Sequence, residues 1–322
     1  MRITFGGPIA RQPVTALLSS RNDVQFQAFD TVAEAADNAG SSDVLVIADP
    51  RGEPGKQLAQ RLREPGCPVR WIQIVTAGTA GLTAHELPPT LLVTNQGGAV
   101  APVVAEHAMG LMIALNRRFD AFFAASARGE WQQKVEPAHR SLEGLTLCIV
   151  GFGNIGQELA KKARAFNMRI VGVNRSGGAH ALADTMFPLS RLADALAEAD
   201  VAVLCLALTE ETRNLIEARM LAALKPQAIL INVARGEILD QSAFAAAMRS
   251  GHIRAAGLDV TTPEPLPSGH ELWSLPNVVI TPHIAGGGSP MTGKRIASVL
   301  EQNLERFRAG QPLLHQVYGP RP

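Results

Sequence analysis

The stretch that decides the fold is an apolar run followed by a glycine pattern, Leu147-Cys148-Ile149-Val150-Gly151-Phe152-Gly153-Asn154-Ile155-Gly156. The glycines match G-x-G-x-x-G, and a helical pattern continues over residues 157–166. The motif therefore lies between a predicted strand and a predicted helix, which is the context in which it binds a dinucleotide.

Each glycine of the motif has a predicted role. Gly151 permits a sharp turn, Gly153 lets the backbone approach a pyrophosphate, and Gly156 permits close packing of the helix on the strand. The amides of Asn154 and Ile155 are expected to face the phosphates at the helix N-terminus. The sequence thus predicts a dinucleotide-binding turn.

Short apolar runs alternate with helical segments along the whole chain, a pattern typical of βαβ units with a parallel sheet. After Pro137, strands are predicted at 145–150, 169–173, 201–206, 228–232, 255–260 and 278–281. Six strands make a complete doubly wound dinucleotide-binding domain. In the first hundred residues, runs at 2–5, 44–47, 70–75 and 91–94 predict a smaller α/β layer.

Apolar residues at spacings of three and four predict one long amphipathic helix from 101 to about 127, and a second helix over 293–307. The predicted fold is α/β, with two Rossmann-like doubly wound parallel-sheet domains and an active-site cleft between them. Residues 1–100 plus 289–322 are expected to form a flavodoxin-like substrate domain. Residues 101–288 are expected to form the dinucleotide-binding Rossmann domain.

Length and composition exclude several classes of protein. The 322 residues suffice for about two domains at roughly 150 residues each. Thirty Lys and Arg against 29 Asp and Glu give a net charge of +1, so neither a nucleic-acid partner nor a membrane partner is expected. Three scattered cysteines, Cys67, Cys148 and Cys205, predict neither a disulfide framework nor a metal site. Without a signal-peptide pattern at the N-terminus, a cytoplasmic location is expected.

The end of the strand after the glycine motif indicates which dinucleotide is preferred. An Asp or Glu about 20 residues beyond the motif would bind the ribose hydroxyls and repel a 2′-phosphate. This chain instead has Asn174-Arg175-Ser176, which offers a guanidinium and two neutral side chains. NADP(H) is therefore the expected cofactor. Use of NAD(H) as well stays open, since Arg175 is also compatible with a solvated side chain.

With these motifs the sequence resembles the D-isomer-specific 2-hydroxyacid dehydrogenase family, which includes glyoxylate and hydroxypyruvate reductases and phosphoglycerate dehydrogenases. The likeness covers most of the chain and is strongest from Leu145 to Gly286. Beside the glycine motif, it rests on Ile231-Asn232-Val233-Ala234-Arg235-Gly236, Gly257-Leu258-Asp259-Val260, Glu264-Pro265-Leu266-Pro267 and Leu275-Pro276-Asn277-Val278-Val279-Ile280-Thr281-Pro282-His283-Ile284.

The resemblance implies that Arg235, Glu264 and His283 are catalytic. The chemistry of 2-keto acid reduction asks for the same residue types. Arg235, after a strand end, is suited to bind the substrate carboxylate and polarise the carbonyl. His283 is able to exchange a proton near neutral pH, and Glu264 would orient its ring and stabilise the imidazolium. A surface Arg235, a structural His283 and a solvated Glu264 are the alternatives.

The resemblance also implies further cofactor and substrate contacts. It places Asp259 at the nicotinamide side of the cofactor, although a strand-end turn carboxylate is the alternative. Further cofactor contacts are expected from Val233, Ala234, Arg235, His283, Ala285 and Gly286. The segment Ile74-Val75-Thr76-Ala77-Gly78-Thr79-Ala80-Gly81 is similar to the family's substrate loop, so Ala77 and Gly78 are expected to bind the substrate carboxylate together with Arg235 and His283.

Three features fit the resemblance less well or have two interpretations. Family members often carry an acidic residue shortly after the loop glycine, whereas this chain has Gly81-Leu82-Thr83. Arg51 is suited either to bind a second anionic group of the substrate or to lie in a solvated turn. Trp131 is suited either to close a pocket or to pack in a core or an interface. Glu106-His107 resembles a family feature that we interpret as structural, helping to link the domains.

The sequence thus predicts an oxidoreductase that reduces a small 2-keto acid, of the glyoxylate or hydroxypyruvate type, to the D-2-hydroxy acid with NADPH. A homodimer is implied by the resemblance. The alternatives are an NAD-dependent enzyme of the phosphoglycerate dehydrogenase type and, in a different class, a dinucleotide-sensing corepressor or scaffold on the same fold.

Overall fold

The computed structural model describes residues 1–320, and the chain divides into two compact units. The first unit is Met1–Val100 with the C-terminal segment that begins at Gly288, and the second is Ala101–Gly287. From the sequence, this last boundary is expected one residue later. The roles of substrate domain and dinucleotide-binding domain stay predictions.

The described residues contain 13 strands and 11 α-helices. The strands are β1 Arg2–Gly6, β2 Gln25–Phe29, β3 Val44–Ile47, β4 Trp71–Ile74, β5 Leu92–Thr94, β6 Thr146–Val150, β7 Arg169–Asn174, β8 Thr185–Pro188, β9 Val201–Leu204, β10 Ala228–Asn232, β11 Ile253–Leu258, β12 Val278–Ile280 and β13 Gln316–Tyr318. The helices are α1 Arg11–Ser19, α2 Val32–Asp37, α3 Glu53–Leu62, α4 Ala80–Thr83, α5 Ala101–Arg117, α6 Phe119–Ala127, α7 Asn154–Arg164, α8 Leu192–Ala197, α9 Ala218–Ala223, α10 Gln241–Arg249 and α11 Pro290–Arg308.

The first unit contains a six-stranded sheet in the order β13-β5-β4-β3-β1-β2. Strands β1 to β5 are parallel, and only β13 runs antiparallel, beside β5. Every residue of β3 and β4 is buried, as expected for central strands covered on both faces. Without β13, the order is that of flavodoxin-like sheets.

A buried polar network joins the strands of the first unit to its last helix. The Trp71 indole N–H donates to Thr94 Oγ1 at 2.8 Å, and Thr94 Oγ1 donates to Gln73 Oε1 at 2.9 Å. Asn303 Nδ2, from α11, donates to the same Gln73 oxygen at 3.2 Å, while Asn303 Oδ1 accepts from Leu314 N at 2.7 Å. Because a buried polar group without a partner is costly, this network fixes the position of α11 in its unit.

The second unit contains a seven-stranded parallel sheet in the order β12-β11-β10-β9-β6-β7-β8. Counted from β6, this order is 3-2-1-4-5-6 with one more strand at the edge, the arrangement of dinucleotide-binding domains. The predicted α/β class with two parallel-sheet units is confirmed. Because the strands are parallel, the carboxyl ends of β6, β9, β10, β11 and β12 all lie at one edge of the sheet.

The structure corrects two expectations about the elements. Strands β2, β8 and β13 were not predicted, and each lies at the edge of a sheet. The predicted helix from 101 to 127 is two helices, because Arg118 between α5 and α6 has a left-handed φ of 56°. Its guanidinium donates to Pro137 O at 3.0 Å and to both oxygens of Asp120, so a tertiary contact breaks the helix.

Between residues 1 and 320, none of the helices has both the length and the apolar character needed to cross a membrane.

Candidate active site

The turn between β6 and α7 has the shape that its glycines predict. Gly151 has a φ of +103°, and a Cβ there would lie 2.7 Å from Leu206 N. A Cβ on Gly156 would lie 2.4 Å from Gly151 O, so helix and turn pack without room for a side chain. At Gly153, by contrast, no atom lies within 4 Å of a Cβ position.

This geometry fits a dinucleotide. Gly153 is the N-cap residue of α7 and supplies no capping side chain, so the first amides of the helix are left to an anion. The open space before Gly153 is where a phosphate would approach the backbone, with Asn154 and Ile155 in the first turn of the helix. The glycine turn and this helix N-terminus would together hold the pyrophosphate.

Arg175 lies just beyond β7, with an exposed side chain that makes no hydrogen bond or ion pair within residues 1–320. Asn174 Oδ1 accepts the amides of Ser176 at 3.1 Å and Gly177 at 2.6 Å. The side-chain carbonyl of Asn174 therefore shapes the turn, and Arg175 is the group of this trio with its polar atoms directed to solvent. A guanidinium there is suited to a phosphate.

Arg235 follows β10 in a turn held by Asn232, which is fully buried. Asn232 Oδ1 accepts from Ala234 N at 3.0 Å, and Asn232 Nδ2 donates to Arg235 O at 3.0 Å. The Arg235 guanidinium donates to Ala234 O at 2.6 Å. Val233 and Ala234 are buried in this turn, so their side chains pack in the unit while the arginine remains partly exposed.

The segment that carries Glu264 packs directly on the Arg235 turn. A Cβ on Gly236 would lie 2.1 Å from Thr261 O, so the two segments touch through backbone atoms. The Gln241 side-chain amide binds both backbone groups of Thr262, accepting from its N at 2.9 Å and donating to its O. These contacts fix the backbone from which the Glu264 carboxylate extends.

His283 and Glu264 form a hydrogen-bonded pair. The Nδ1 atom of His283 lies 2.7 Å from Glu264 Oε2, and the other carboxylate oxygen accepts from Thr261 N at 3.2 Å. Both side chains are about one-third exposed, at 34% and 32%. Because Nδ1 faces the carboxylate, Nε2 is the ring nitrogen that is directed away from Glu264 and able to exchange a proton with a ligand.

A buried carboxylate binds residues on both sides of His283, through a side-chain hydroxyl before it and backbone amides after it. Asp259, 2% exposed, accepts from Ile284 N at 3.0 Å, from Ala285 N at 3.0 Å and from Thr281 Oγ1 at 2.6 Å. His283 itself has a left-handed φ of 53°, a conformation that surrounding contacts must stabilise. Asp259 therefore holds this loop, and the expected contact with the nicotinamide side of the cofactor stays a prediction. Gly286 comes directly after the held segment.

His107, on α5, completes the same network. Its Nε2 atom lies 2.9 Å from Thr281 Oγ1 and 3.5 Å from Asp259 Oδ1. The sequence interpretation of Glu106-His107 is a link between domains, but these contacts of His107 lie within the second unit, where they tie a helix to the loop that carries His283. The expectation of a structural role is retained, with a different partner.

The two cysteines of the second unit are poor nucleophiles. Burial raises the pKa of the Cys148 thiol far above its ordinary value and that of Cys205 to about 12. Cys205 Sγ donates to Gly151 O at 3.1 Å, at the glycine turn itself. Both thiols are therefore protonated at neutral pH and serve packing.

In the first unit, Ala77 and Gly78 lie in the loop between β4 and α4. Their backbone amides donate to no acceptor within the described chain, and Ala77 is exposed. The Arg51 side chain is exposed and has no hydrogen-bond or ion-pair partner in residues 1–320. Trp131, in the second unit, is 91% exposed, so the ring is not packed in a core, while its expected packing in an interface stays a prediction.

Sequence reasoning missed the residues that hold the catalytic segments in place. Asn232 and Thr281 stand inside the family motifs, yet nothing in their spacing shows that their side chains bind backbone or a carboxylate. Gln241 lies 21 residues from its partner Thr262. The one signal in the sequence for such a residue was a polar side chain at the end of an apolar strand, as at Asn232.

Together, a glycine turn at the carboxyl edge of a parallel sheet and a histidine–carboxylate pair beside an arginine define a dinucleotide-dependent oxidoreductase. Comparison with known families gives a match over residues 109–285 to the D-isomer specific 2-hydroxyacid dehydrogenase, NAD binding domain. The chain belongs to the D-isomer specific 2-hydroxyacid dehydrogenase family. It is therefore an NAD(P)-dependent oxidoreductase that acts on 2-hydroxy or 2-keto acids.

Individual relatives agree with this assignment. A glyoxylate reductase from Pyrococcus furiosus is 37% identical over 227 residues, which are 69% of this chain and 67% of the relative. A crystal structure of a D-isomer specific 2-hydroxyacid dehydrogenase family protein from Aeromonas salmonicida is 30% identical, with a TM-score of 0.86 and 98% of each chain covered. A family member from Xanthobacter autotrophicus, solved with NADPH and MES, is 26% identical over 98% of this chain and 97% of its own, with a TM-score of 0.82.

Proposed function

We propose that this dehydrogenase reduces a small 2-keto acid, of the glyoxylate or hydroxypyruvate type, to the D-2-hydroxy acid, with NADPH as the preferred cofactor. The observation that carries the proposal is the 2.7 Å contact between His283 Nδ1 and Glu264 Oε2. It orients a proton-donating imidazole and stabilises its charged form, as carbonyl reduction requires. The name of the Pyrococcus relative supports the substrate class.

Three side chains divide the work on the substrate. Arg235 binds the substrate carboxylate with its planar guanidinium and polarises the neighbouring carbonyl. His283 Nε2 gives a proton to the carbonyl oxygen as C2 is reduced, and Glu264 stabilises the imidazolium before that transfer. In the reverse direction the neutral imidazole takes the hydroxyl proton, so reduction is expected to be faster at lower pH and oxidation at higher pH.

The cofactor, when bound, supplies the hydride that C2 receives. The glycine turn, with Gly151, Gly153 and Gly156, and the N-terminus of α7 would hold its pyrophosphate. Arg175 would bind the 2′-phosphate, and Asn174 and Ser176 shape the turn around it. The NADPH bound to the Xanthobacter relative supports this preference. NAD(H) use stays open, because the arginine does not exclude a ribose hydroxyl.

The substrate carboxylate is also expected to meet the first unit through the amides of Ala77 and Gly78. Two neighbouring amides without acceptors in the described chain are suited to a carboxylate. The homodimer and the cytoplasmic location likewise stay predictions. Light scattering of the purified protein tests the first of them.

The decisive assay follows the loss of reduced-cofactor absorbance with NADPH and with NADH, each against glyoxylate, hydroxypyruvate, pyruvate and phosphohydroxypyruvate. We expect the highest kcat/KM for NADPH with glyoxylate or hydroxypyruvate. Preference for NADH with phosphohydroxypyruvate would contradict the proposal and favour the phosphoglycerate dehydrogenase type. No turnover with any of the four would refute the proposed substrate class.

His283→Ala tests the proton donor. Because a positioned acid–base group contributes about 10²- to 10⁴-fold, kcat should fall by that factor, while binding of NADPH is retained. The measurement is steady-state kinetics together with a fluorescence titration of NADPH. His139→Ala is the control, since His139 is exposed and lies outside the site. An unchanged kcat in His283→Ala would remove this residue from the proton transfer.

A further inference from the structure

The loop between β4 and α4, residues 75–79, contains no acidic residue of its own, yet a carboxylate from elsewhere in the unit lies beside it. Asp49, two residues after β3, accepts from Gly81 N at 2.9 Å through Oδ2 and from Leu82 N at 3.1 Å through Oδ1. These are the second and third residues of α4, whose N-cap residue, Thr79, makes no side-chain capping bond. Asp49 thus caps α4 from the turn that follows β3.

Asp49 holds the beginning of the loop as well as its end. Its backbone N donates to Thr76 Oγ1 at 3.1 Å, and that hydroxyl donates to Gly78 O at 3.1 Å. Asn95 Nδ2 donates to Ala77 O at 3.4 Å from the far side. The carbonyls of Ala77 and Gly78 are thus bound within the unit, whereas their amides have no acceptor in the described chain.

Steric contact leaves the Asp49 segment little freedom. A Cβ on Gly81 would lie 2.8 Å from Arg51 Cα and 2.9 Å from Asp49 Oδ1. A Cβ on Gly55, in α3, would lie 2.1 Å from Gly81 O. Glycines at both positions are therefore required for the β3–α3 turn to reach the loop, so the contact is a packed feature of the unit.

We propose that Asp49 is a positioning residue for the substrate, an inference that rests on the proposed function. Its carboxylate fixes the amides of Gly81 and Leu82, and its backbone N binds Thr76, so that the amides of Ala77 and Gly78 present a preformed site for the carboxylate of the keto acid. Because both Asp49 oxygens accept amides, its charge is directed to α4 and not to the substrate.

The test is Asp49→Asn, which keeps the size of the side chain and removes one of the two acceptors. We expect KM for the keto acid to rise about tenfold, as for the loss of roughly one charge-assisted hydrogen bond. We expect kcat to stay within about twofold and KM for NADPH to be unchanged, because a preorganised anion site acts on substrate binding. Hydrogen exchange at the Gly81 and Leu82 amides should speed up in the same variant.

Asp43→Asn is the matched control. Asp43 is another carboxylate of the first unit, and it accepts from the backbone N and the guanidinium of Arg2. Its loss should leave KM for the keto acid unchanged. The proposal is overturned if Asp49→Asn leaves that KM unchanged, or if kcat and both KM values change alike, as general damage to the fold would cause. A wild-type protein that turns over no keto acid would overturn the proposed function and the substrate role of Asp49 together.

Discussion

Each unit has a strand-to-helix turn that follows the first strand of its sheet along the chain, and only the turn of the second unit is suited to a nucleotide. In the first unit β1 leads through Gly7 to α1, and in the second β6 leads through Gly151 to α7. Both glycines have a φ of +103°. Both amides donate to the end of the next strand, Gly7 N to Phe29 O at 3.2 Å and Gly151 N to Val173 O at 3.0 Å.

The turns differ in the residues after the shared glycine. In the first unit, Arg11 at the start of α1 donates to Phe29 O at 2.7 Å and pairs with Asp30 at 3.0 Å. Pro8 contributes no amide, and Ala10, the N-cap residue, is left-handed. In the second unit, Gly153 leaves the space before α7 open. Equal topology therefore does not confer nucleotide binding, which depends on the residues at the helix N-terminus.

Of the substitutions in the two turns, Gly153→Val should have the largest effect on KM for NADPH. Gly153 has a negative φ of −87°, so its backbone is outside the left-handed region that favours glycine, and a Cβ there meets no protein atom within 4 Å. The side chain would instead fill the space of the phosphates, so KM for NADPH should rise by about two orders of magnitude, as for the loss of about 3 kcal/mol of binding. Steady-state kinetics measures this. An unchanged KM, with an unchanged thermal midpoint of unfolding, would refute the comparison.

Arg175→Ala tests whether the second unit's nucleotide site prefers NADPH over NADH. Removing a guanidinium from a phosphate should raise KM for NADPH about tenfold and KM for NADH by less than about twofold. Arg219→Ala, which removes an exposed arginine from α9, is the matched control. Equal effects on both cofactors would show that Arg175 does not read the 2′-phosphate.

Gly7→Ala should have the smallest effect, and on stability alone. A φ of +103° is strained for alanine, so the free energy of unfolding should fall by about 1–3 kcal/mol. KM for NADPH should stay the same, because the first turn holds no cofactor in our proposal. Thermal unfolding and a cofactor titration check both points. A weaker affinity for NADPH in this variant would contradict the division of roles between the turns.

The central strands were predictable from sequence. Of the four edge strands, β12 was predicted as well, whereas β2, β8 and β13 were not. Parallel strands covered on both faces are continuous apolar runs, as Val44–Ile47 and Ala228–Asn232 show. Strand β2, Gln25–Phe29, carries glutamines at 25 and 27 and has no buried residue, as an edge strand that pairs on one side only allows. The interruption between helices α5 and α6 at Arg118 could not be predicted either, since the Arg118 guanidinium binds Pro137, which is 19 residues away.

The residues of the candidate site also include some that the sequence predicts and some that it does not. The glycine turn could be predicted because the positive φ of Gly151 and the close packing at Gly156 are local demands that only glycine meets. The pairing of His283 with Glu264 came from the family resemblance and is present in the structure as a hydrogen bond. Asp49 could not be found, because its partners Gly81 and Leu82 lie 32 and 33 residues further along the chain. Their contact exists only once the strands are aligned in the sheet.

The buried indole of Trp71 gives the protein a built-in spectroscopic reporter. The chain has three tryptophans, and Trp71, fully buried beside Thr94, is the one in the first unit. Trp131 and Trp273, in the second unit, are 91% and 54% exposed. Acrylamide should therefore quench their emission and spare that of Trp71. The residual fluorescence would report the melting of one unit without labels, and show whether the two units lose their structure together or one at a time.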